Sequence, residues 1–352
     1  MATGVQNIQA DRLREYCVNL FHQVGVPKDE ALITADNLVE ADLNGVESHG
    51  VSRMSIYMKR LRMGGVRPVM ATKTIVDMPA MAVVDACNSM GAPVGVKSME
   101  MAIAKAKVSG ISFVSVRNSN HYGIAAYYAK MALAHDMIGF TATNSCPRVA
   151  PWGSREPLFG TNPISYAFPT SGNVPFFPDM ASCVVARGKL IVASKKNLPI
   201  PLGWAMTKDG EDTTDPLAGL SGANIPFGTY KGSAIAGIVE ILTGILSGSA
   251  FSTQIPDMYD VVDRPAPVAH YFGAINIAAF LPVAEFKNKV AELVDSVKVS
   301  PKAKGIDEIF LPGEIEQRKK EQRLQEGIPV PGVVVDELKR EGEICGIPFN
   351  LA

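Results

Sequence analysis

A histidine, a hydroxyl and an arginine lie close together in the segment 48–53, SHGVSR, which begins with Ser48. An imidazole titrates near neutral pH and can exchange a proton with a neighbouring oxygen, whereas a planar guanidinium matches a carboxylate. A helix that begins at this serine would place His49, Arg53 and Tyr57 on one side. The segment therefore predicts a site for a small organic acid or, with equal weight, an N-capped surface helix with ordinary polar residues.

A second histidine, His121, lies between a predicted strand and a predicted helix, in the sequence SNHYG at 119–123. Ligands of α/β sheets usually bind at the carboxyl ends of strands, so His121 is a candidate acid or base, with loop stabilisation as the equal alternative. The two histidines have no metal-ligand spacing, and the nucleophile motif G-x-S-x-G is absent from the sequence. Proton transfer beside a hydride cofactor is their natural role.

The dinucleotide fingerprint G-x-G-x-x-G is also absent, which disfavours a Rossmann domain. Other segments are candidates for holding a dinucleotide. The segment 179–182 is predicted to open a helix whose free amides face the ligand, although an N-cap is the commoner use of Asp179. A second helix is predicted to open at 230–232, where Lys231 either binds phosphate or lies on a solvated turn. The segment 311–314 fits a ligand contact or a plain turn before an acidic first helical residue.

Length, charge and cysteine content exclude several classes of protein. With 352 residues, the chain exceeds what one hydrophobic core usually supports, which predicts two domains. A formal net charge of -1 leaves no electrostatic footprint for nucleic acid. The cysteines are scattered and never spaced as C-x-x-C, which argues against a disulfide framework or a metal site and fits a reducing compartment. They are Cys17, Cys87, Cys146, Cys183 and Cys345.

No basic region followed by an apolar core is visible in residues 1–16, so no secretory signal is predicted and a cytoplasmic location is expected. The apolar segment 233–251 carries Glu240 near its centre, where a carboxylate costs on the order of 2.5 kcal/mol or more in lipid. A buried core helix is predicted there, and no membrane partner.

The elements that must position these residues follow the hydrophobic pattern. Helices are predicted at 8–24, 29–43, 96–108, 124–134, 182–194, 230–246, 282–297 and 314–341, the last with breaks at Gly327 and Pro331. Strands are predicted at 72–77, 81–85, 111–116, 138–143 and 269–277. Both ends are helical, and the alternation in the middle predicts an α/β layer with a buried sheet. The long loop 144–178 is rich in Pro and Gly, as functional loops often are.

Ten motifs agree in order and spacing with one known family. They are SHGVSR at 48–53, SNHYG at 119–123, RVAPWG followed by GTNP between 148 and 163, PDMAS at 178–182, IPLGWA at 200–205, TTDP at 213–216, YKG at 230–232, LSG at 246–248 and PGE at 312–314. Over nearly its whole length, to about residue 330, the chain resembles the type-2 malate/L-lactate dehydrogenase family. This family also contains ureidoglycolate, sulfolactate and diketogulonate dehydrogenases and a cyclic-imine reductase.

The resemblance implies an oxidoreductase that uses NAD or NADP and acts on CH-OH donors, interconverting a small 2-hydroxy acid and its 2-oxo acid, of the malate or L-lactate type. It implies an α/β fold: a non-Rossmann, sulfolactate dehydrogenase-like cofactor domain at 71–281 and a helical dimerisation domain built from 1–70 and 282–352. A homodimer with its sites near the subunit interface is expected. The alternatives are a cyclic-imine (ketimine) carboxylate reductase with the same site and a non-catalytic dinucleotide-binding protein.

By the same resemblance, His49 matches the proton donor of the reductive direction, and Ser48 and Arg53 match residues of the substrate pocket, which Tyr57 joins by its spacing. His121 matches a position near the nicotinamide that is also an acid/base candidate, so the assignment between the two histidines stays open. The positions that match cofactor contacts are Asn144, Ser145, Asp179, Met180, Ala181, Lys231, Gly232, Pro312, Gly313 and Glu314. The choice of hydroxy acid and of NAD or NADP is not contained in the motifs.

Overall fold

The fold combines a central mixed sheet with a group of helices from both chain ends. The computed structural model describes residues 4–195 and 197–351. Its helices are α1 (Ala10–Gln23), α2 (Lys28–Leu43), α3 (Met54–Arg62), α4 (Gly91–Ser109), α5 (Ala125–Ala129), α6 (Arg187–Lys195), α7 (Pro216–Ser221), α8 (Tyr230–Glu240), α9 (Val283–Lys298), α10 (Glu314–Glu326) and α11 (Gly332–Cys345). Its strands are β1 (Val5–Ile8), β2 (Lys73–Asp77), β3 (Met81–Asp85), β4 (Phe113–Ser119), β5 (Met137–Thr143), β6 (Ile164–Ala167), β7 (Asp179–Met180), β8 (Ala205–Met206), β9 (Ala223–Asn224), β10 (Val268–Asn276) and β11 (Ile328–Pro331).

The two ends of the chain form one hydrophobic core. Helix α1 buries Leu13, Cys17 and Leu20, which recur at helical spacing, and they pack with residues of α2, α3 and α11. Complete burial of a large aliphatic side chain contributes roughly 1.5–3 kcal/mol, so this shared core fixes the two ends together. The strands β1 and β11 pair antiparallel beside it. The helical character of both ends is confirmed, whereas this small sheet was not predicted.

The central sheet has the order β2-β3-β4-β10-β5-β6-β7. Only the β3–β4 pair is parallel, so the sheet differs from the parallel sheet of a Rossmann domain, as predicted. Strand β10 lies antiparallel to both β4 and β5. The carboxyl ends of β4 and β5 therefore meet at one edge, where the loops after Ser119 and Thr143 begin. The division of the chain into domains at residues 70 and 282 stays a prediction.

Three predicted helices differ in the structure. The expected helix from Ser48 is replaced by the 3-10 turns Glu47–His49 and Val51–Arg53, because Gly50 between them is extended, and α3 begins only at Met54. The helix predicted at 182–194 begins at Arg187.

The segment Asp179–Met180 is strand β7 and not a helix start, because its backbone pairs with β6 and thereby gains partners that a new helix end would lack. The helix predicted at 124–134 is the short α5 followed by a 3-10 turn, Lys130–His135. Sheet pairing and tight turns thus replace helix where the chain borders the sheet edge.

The apolar segment around α8 is a two-faced helix. Glu240 and Val239 face the interior, whereas Ile238, Ile241 and Ile245 are each more than half exposed. The predicted buried core helix is therefore buried on one side only. Within residues 4–195 and 197–351, no helix is long and apolar enough to cross a membrane.

Candidate active site

The two histidines of the sequence motifs meet at the sheet edge, although 72 positions separate them in numbering. His121 follows β4, and His49 comes from the helical part. Their rings are stacked, with centroids 5.4 Å apart and planes inclined by 26°. The structure thus brings together the SHGVSR and SNHYG motifs, and a bound oxygen atom beside one ring would lie near the other.

Helix α2 positions the turn that carries His49. The buried carboxylate of Asp42 accepts the N–H of Val51 at 2.8 Å. Gly50 lies directly against that carboxylate, and a Cβ atom at this position would lie 1.9 Å from Asp42 Oδ1. Burial raises the pKa of Asp42 to about 7. Only glycine allows the turn to approach α2 this closely.

Helix α2 also positions the loop that carries His121, through Asn37, which lies about one and a half turns before Asp42. Asn37 Oδ1 accepts the N–H of Ile124 at 3.4 Å. Gly123 has a positive φ of 82° and packs on the same amide, where a Cβ atom would lie 1.6 Å from Asn37 Oδ1. Two polar residues of α2, each paired with a glycine, therefore set the distance between the histidines.

Arg53 is held by two hydrogen bonds near His49. Its Nε donates to the carbonyl oxygen of Ser48 at 2.7 Å, and its Nη1 donates to the hydroxyl of Tyr259 at 2.5 Å. The hydroxyl of Ser48 lies 2.9 Å from His49 Nδ1. The remaining N–H groups of this guanidinium suit the bidentate recognition of a carboxylate.

Tyr57 fixes the orientation of the His121 ring. Its hydroxyl lies 2.5 Å from His121 Nδ1, which also lies 3.3 Å from the N–H of Gly123. A backbone N–H can only donate, so Nδ1 accepts and the neutral ring carries its proton on Nε2. Burial raises the pKa of Tyr57, so its phenol stays protonated and donates. Tyr57 was predicted to line the substrate pocket, and in the structure its hydroxyl contacts His121.

Both histidines are neutral at pH 7. Their environment in the cleft lowers the pKa of His49 to about 3 and that of His121 well below its ordinary value, in each case first by desolvation and then by the charge of Arg53. A neutral imidazole can accept a proton, and a negative charge bound at Arg53 would reduce the repulsion that opposes protonation.

The predicted cofactor residues adjoin the segment 177–182. Asp179 Oδ2 accepts the N–H of Ala126, the second residue of α5, at 2.9 Å. Solvent reaches Asp179, but protein surrounds it on most sides, and this desolvation raises its pKa to about 6. Met180 beside it is also exposed. A carboxyl group and an apolar side chain are thus exposed next to each other.

Both other cofactor segments contact this strip. The N–H of Phe177 donates to the carbonyl of Pro312 at 3.2 Å, and Gly313 packs on the Phe177 ring. At the other end, Ser182 O lies 2.7 Å from where a Cβ of Gly232 would be, next to the exposed Lys231 at the start of α8.

Two of the predicted cofactor residues are occupied by internal contacts. Asn144 is 1% exposed; its amide oxygen accepts the N–H of Ala269 at 2.8 Å and its amide nitrogen donates to Ala250 O at 3.1 Å. This gives Asn144 a structural role between β5 and β10. Glu314 accepts from Lys298 Nζ and from the N–H of Leu311, both at 2.9 Å.

The two remaining predicted cofactor residues, Ser145 and Ala181, are linked to the segment 177–182 or belong to it. Ser145 Oγ accepts the N–H of Thr161 at 3.3 Å, and Thr161 O in turn accepts the N–H of Ser182 at 2.8 Å. Ala181 lies between the exposed Met180 and this bonded serine.

Several site residues were missed from the sequence. Tyr259 reaches Arg53 from a loop more than 200 positions away, and nothing in its local sequence marks it. Arg60, 2% exposed, donates to Asn120 Oδ1 at 3.0 Å and so supports the loop that carries His121. Among the residues described, no group of three or more His, Cys, Asp or Glu side chains is arranged to hold a metal.

Comparison with known proteins gives one consistent result. Residues 8–339 match the model of the malate/L-lactate dehydrogenase family. The L-sulfolactate dehydrogenase of Methanocaldococcus jannaschii is 41% identical over 339 residues, which cover 96% of this chain and 96% of that protein. The malate dehydrogenase of Pyrococcus horikoshii is 41% identical over 348 residues, which cover 97% of this chain and 96% of that protein. The solved structure of the M. jannaschii sulfolactate dehydrogenase matches with a TM-score of 0.92 at 39% identity, covering 97% of this chain and 98% of that one.

Proposed function

Because the chain belongs to the malate/L-lactate dehydrogenase family, we propose that it interconverts a small 2-hydroxy acid and its 2-oxo acid with a nicotinamide dinucleotide, NAD or NADP. The observation that carries this proposal is the juxtaposition of Arg53 with the stacked rings of His49 and His121. One group binds a carboxylate, and the other two exchange a proton with the adjacent oxygen.

The residues of the cleft fit a dinucleotide. Asp179 and Met180 are open to solvent beside a short helix start, and Lys231 stands at the start of α8 with its charge free for phosphate. Asp179 accepts hydrogen bonds from a carboxamide or a hydroxyl when ionised. When bound, the nicotinamide supplies the acceptor or donor of hydride.

The proton moves through one of the neutral rings. In the direction of oxidation, His49 takes the hydroxyl proton while Arg53 holds the carboxylate, and Ser48 orients the ring through its hydroxyl. In the direction of reduction, the protonated ring returns the proton as negative charge builds on the carbonyl oxygen. His121, fixed by Tyr57, presents Nε2 and its proton as the second donor to that oxygen.

The test is a panel of 2-oxo acids and cyclic imines, assayed with NADH and NADPH. We expect 2-oxo acids to be reduced and cyclic imines to be poor substrates; the reverse order would replace the hydroxy-acid proposal by an imine reductase, and binding without turnover would replace it by a dinucleotide-binding protein. His49→Ala should lower kcat at least about 100-fold with little change in cofactor affinity. His135→Gln, at an exposed histidine, is the control and should leave kcat unchanged.

The exposed isoleucines of α8 and of the π-helical turn Ile241–Ile245 that follows it support a further part of the proposal, a homodimer. Ile238, Ile241 and Ile245 are 53%, 55% and 51% exposed along one face, and a second copy of this chain would cover them. Light scattering should give twice the chain mass. Ile241→Lys should give a monomer, whereas Val299→Lys at an 82% exposed position should not.

A further inference from the structure

Three arginines act electrostatically on the thiol of Cys146, and one of them is Arg53 of the proposed substrate site. Burial raises the pKa of this thiol, and the positive charges of Arg148, Arg187 and Arg53 act against that rise. All three guanidinium groups therefore lie within electrostatic range of one side chain. Such a concentration of positive charge favours a ligand with more than one negative charge.

Of the two arginines beyond Arg53, only one is neutralised. Arg148 forms an ion pair with Asp257. Arg187 donates a hydrogen bond to the carbonyl of Leu220 at 2.7 Å, and no carboxylate of residues 4–195 and 197–351 lies within ion-pair distance of it. Burial lowers the pKa of Arg187 and the like charge of Arg148 lowers it further, whereas Asp257, which is already paired with Arg148, acts in the opposite direction. A partly desolvated cation that has no ion pair of its own is costly unless a ligand supplies the charge.

Arg187 also stands next to the residues that hold the reacting acid. It is the first residue of α6, and a Cβ atom on Gly188 would lie 3.1 Å from the Cβ of Ser48. The carbonyl of Ser48 accepts Arg53 Nε, and its hydroxyl contacts His49. The same serine thus joins the start of α6 to the proposed carboxylate site.

We propose that Arg187 binds a second anionic group of the substrate, so that the site prefers 2-hydroxy and 2-oxo acids that carry two negative charges. This inference rests on the proposed function, in which Arg53 binds the carboxylate next to the reacting carbon. With that carboxylate at Arg53 and the reacting oxygen at the histidines, the substituent on the third carbon is the part left for Arg187. A carboxylate and a sulfonate both offer the oxygen pair that a guanidinium binds.

The Arg148–Asp257 ion pair has a different role, because its two charges cancel each other. Asp257 Oδ1 accepts the N–H of Tyr259 at 3.1 Å, and Tyr259 bonds Arg53. The pair therefore holds the loop that orients Arg53, and the charge left over for a second anion is that of Arg187.

The experiment compares kcat/KM for oxaloacetate, 3-sulfopyruvate and the singly charged four-carbon acid 2-oxobutyrate. Arg187→Leu should lower kcat/KM for at least one of the two doubly charged acids about 10- to 100-fold and change that for 2-oxobutyrate less than threefold. The acid that loses more identifies carboxylate or sulfonate as the group bound. Arg187→Lys should retain part of the preference.

Lys189→Gln removes an equal charge two residues away, on an exposed side chain, and should leave the substrate ratio unchanged. Thermal unfolding of each variant verifies that it is folded. A fall of equal size for all three acids, or an equal effect of Lys189→Gln, would overturn the role of Arg187 alone. If the unmodified protein reduces none of the acids, the proposed function fails, and this inference fails with it.

Discussion

The substrate side and the cofactor side of the cleft are built in opposite ways. On the substrate side, Arg53, His49 and His121 already have hydrogen-bonded partners within the protein, which hold them in position before any ligand arrives. On the proposed cofactor side, Asp179 and Lys231 are exposed to solvent, and Asp179 accepts the backbone N–H of Ala126. Groups that must act on a developing charge are preorganised, whereas groups that only bind a long ligand are left accessible.

The largest effect should come from Arg53 on the preorganised side. Arg53→Leu removes the carboxylate grip and leaves the hydroxyl of Tyr259 without its donor, so kcat/KM for a 2-oxo acid should fall by about 100-fold or more. Steady-state kinetics together with the dissociation constant of NADH or NADPH measure the two sides separately. A comparable loss of cofactor affinity would show that the sides are not independent.

A smaller loss is expected when the position of His49 is disturbed without removing it. Gly50→Ala would place a Cβ atom 1.9 Å from Asp42 Oδ1, which forces the turn away from α2. We expect kcat to fall about 10-fold or more and the free energy of unfolding to drop by about 1–3 kcal/mol. Gly172→Ala is the control, since its Cβ would lie 3.4 Å from Thr170 Oγ1. Full activity of the Gly50 variant would contradict a rigid substrate side.

A substitution on the cofactor side should change the dissociation constant of the cofactor and leave kcat nearly unchanged. The pKa of Asp179 is raised to about 6 by desolvation, so its carboxylate forms as the pH rises through that value, and cofactor affinity should rise with it. Asp179→Asn should abolish this pH step and weaken binding a few-fold at pH 8, whereas the exposed Asp209→Asn should not. Fluorescence titration between pH 5 and 8 measures the dissociation constant. An unchanged pH step would remove Asp179 from the site.

The smallest effect concerns the free energy of unfolding and comes from the buried His270. His270 is fully buried, its ring stacks on Tyr122, and desolvation lowers its pKa to about 3. In the unfolded chain the His270 ring binds a proton below about pH 6.5, whereas in the folded chain it stays neutral down to about pH 3. The free energy of unfolding therefore falls as the pH drops from about 6.5 towards 3. His270→Gln should make this decline shallower by at most roughly 1.4 kcal/mol per pH unit. Denaturant unfolding at several pH values measures it, and an unchanged slope would contradict the lowered pKa.

The same contrast explains what the sequence could predict. His49 and Arg53 lie within five positions, so local spacing was enough to mark them as a candidate carboxylate site, with a capped surface helix as the equal alternative. The structure has a pair of 3-10 turns around Gly50 in place of that helix. Asp179 was taken for a helix start because its pairing with β6 is a tertiary contact that no local pattern contains. Tyr259 and Arg187 gain their significance only from distant residues.

The fold was predictable to a similar extent. Strands β3, β5 and β10 and helices α1, α2 and α9 follow hydrophobic period and were expected within a few residues. The pairing of β1 with β11 was not expected, because each strand has only four residues and its partner lies at the other end of the chain. Asn144 stays a predicted cofactor contact, and its hydrogen bond to Ala269 is a tertiary contact that no local pattern contains.

The clasp between α2 and α10 has a consequence for the order in which the protein becomes active. Arg323 pairs with Glu47 at 2.5 Å, and Lys320 pairs with Glu40 at 2.8 Å, so the turn that carries His49 is braced by residues made almost 300 positions later. During synthesis, both histidines leave the ribosome long before this brace exists. The emerging chain therefore carries the turn of His49 without this brace, and the turn gains it only when α10 packs against α2.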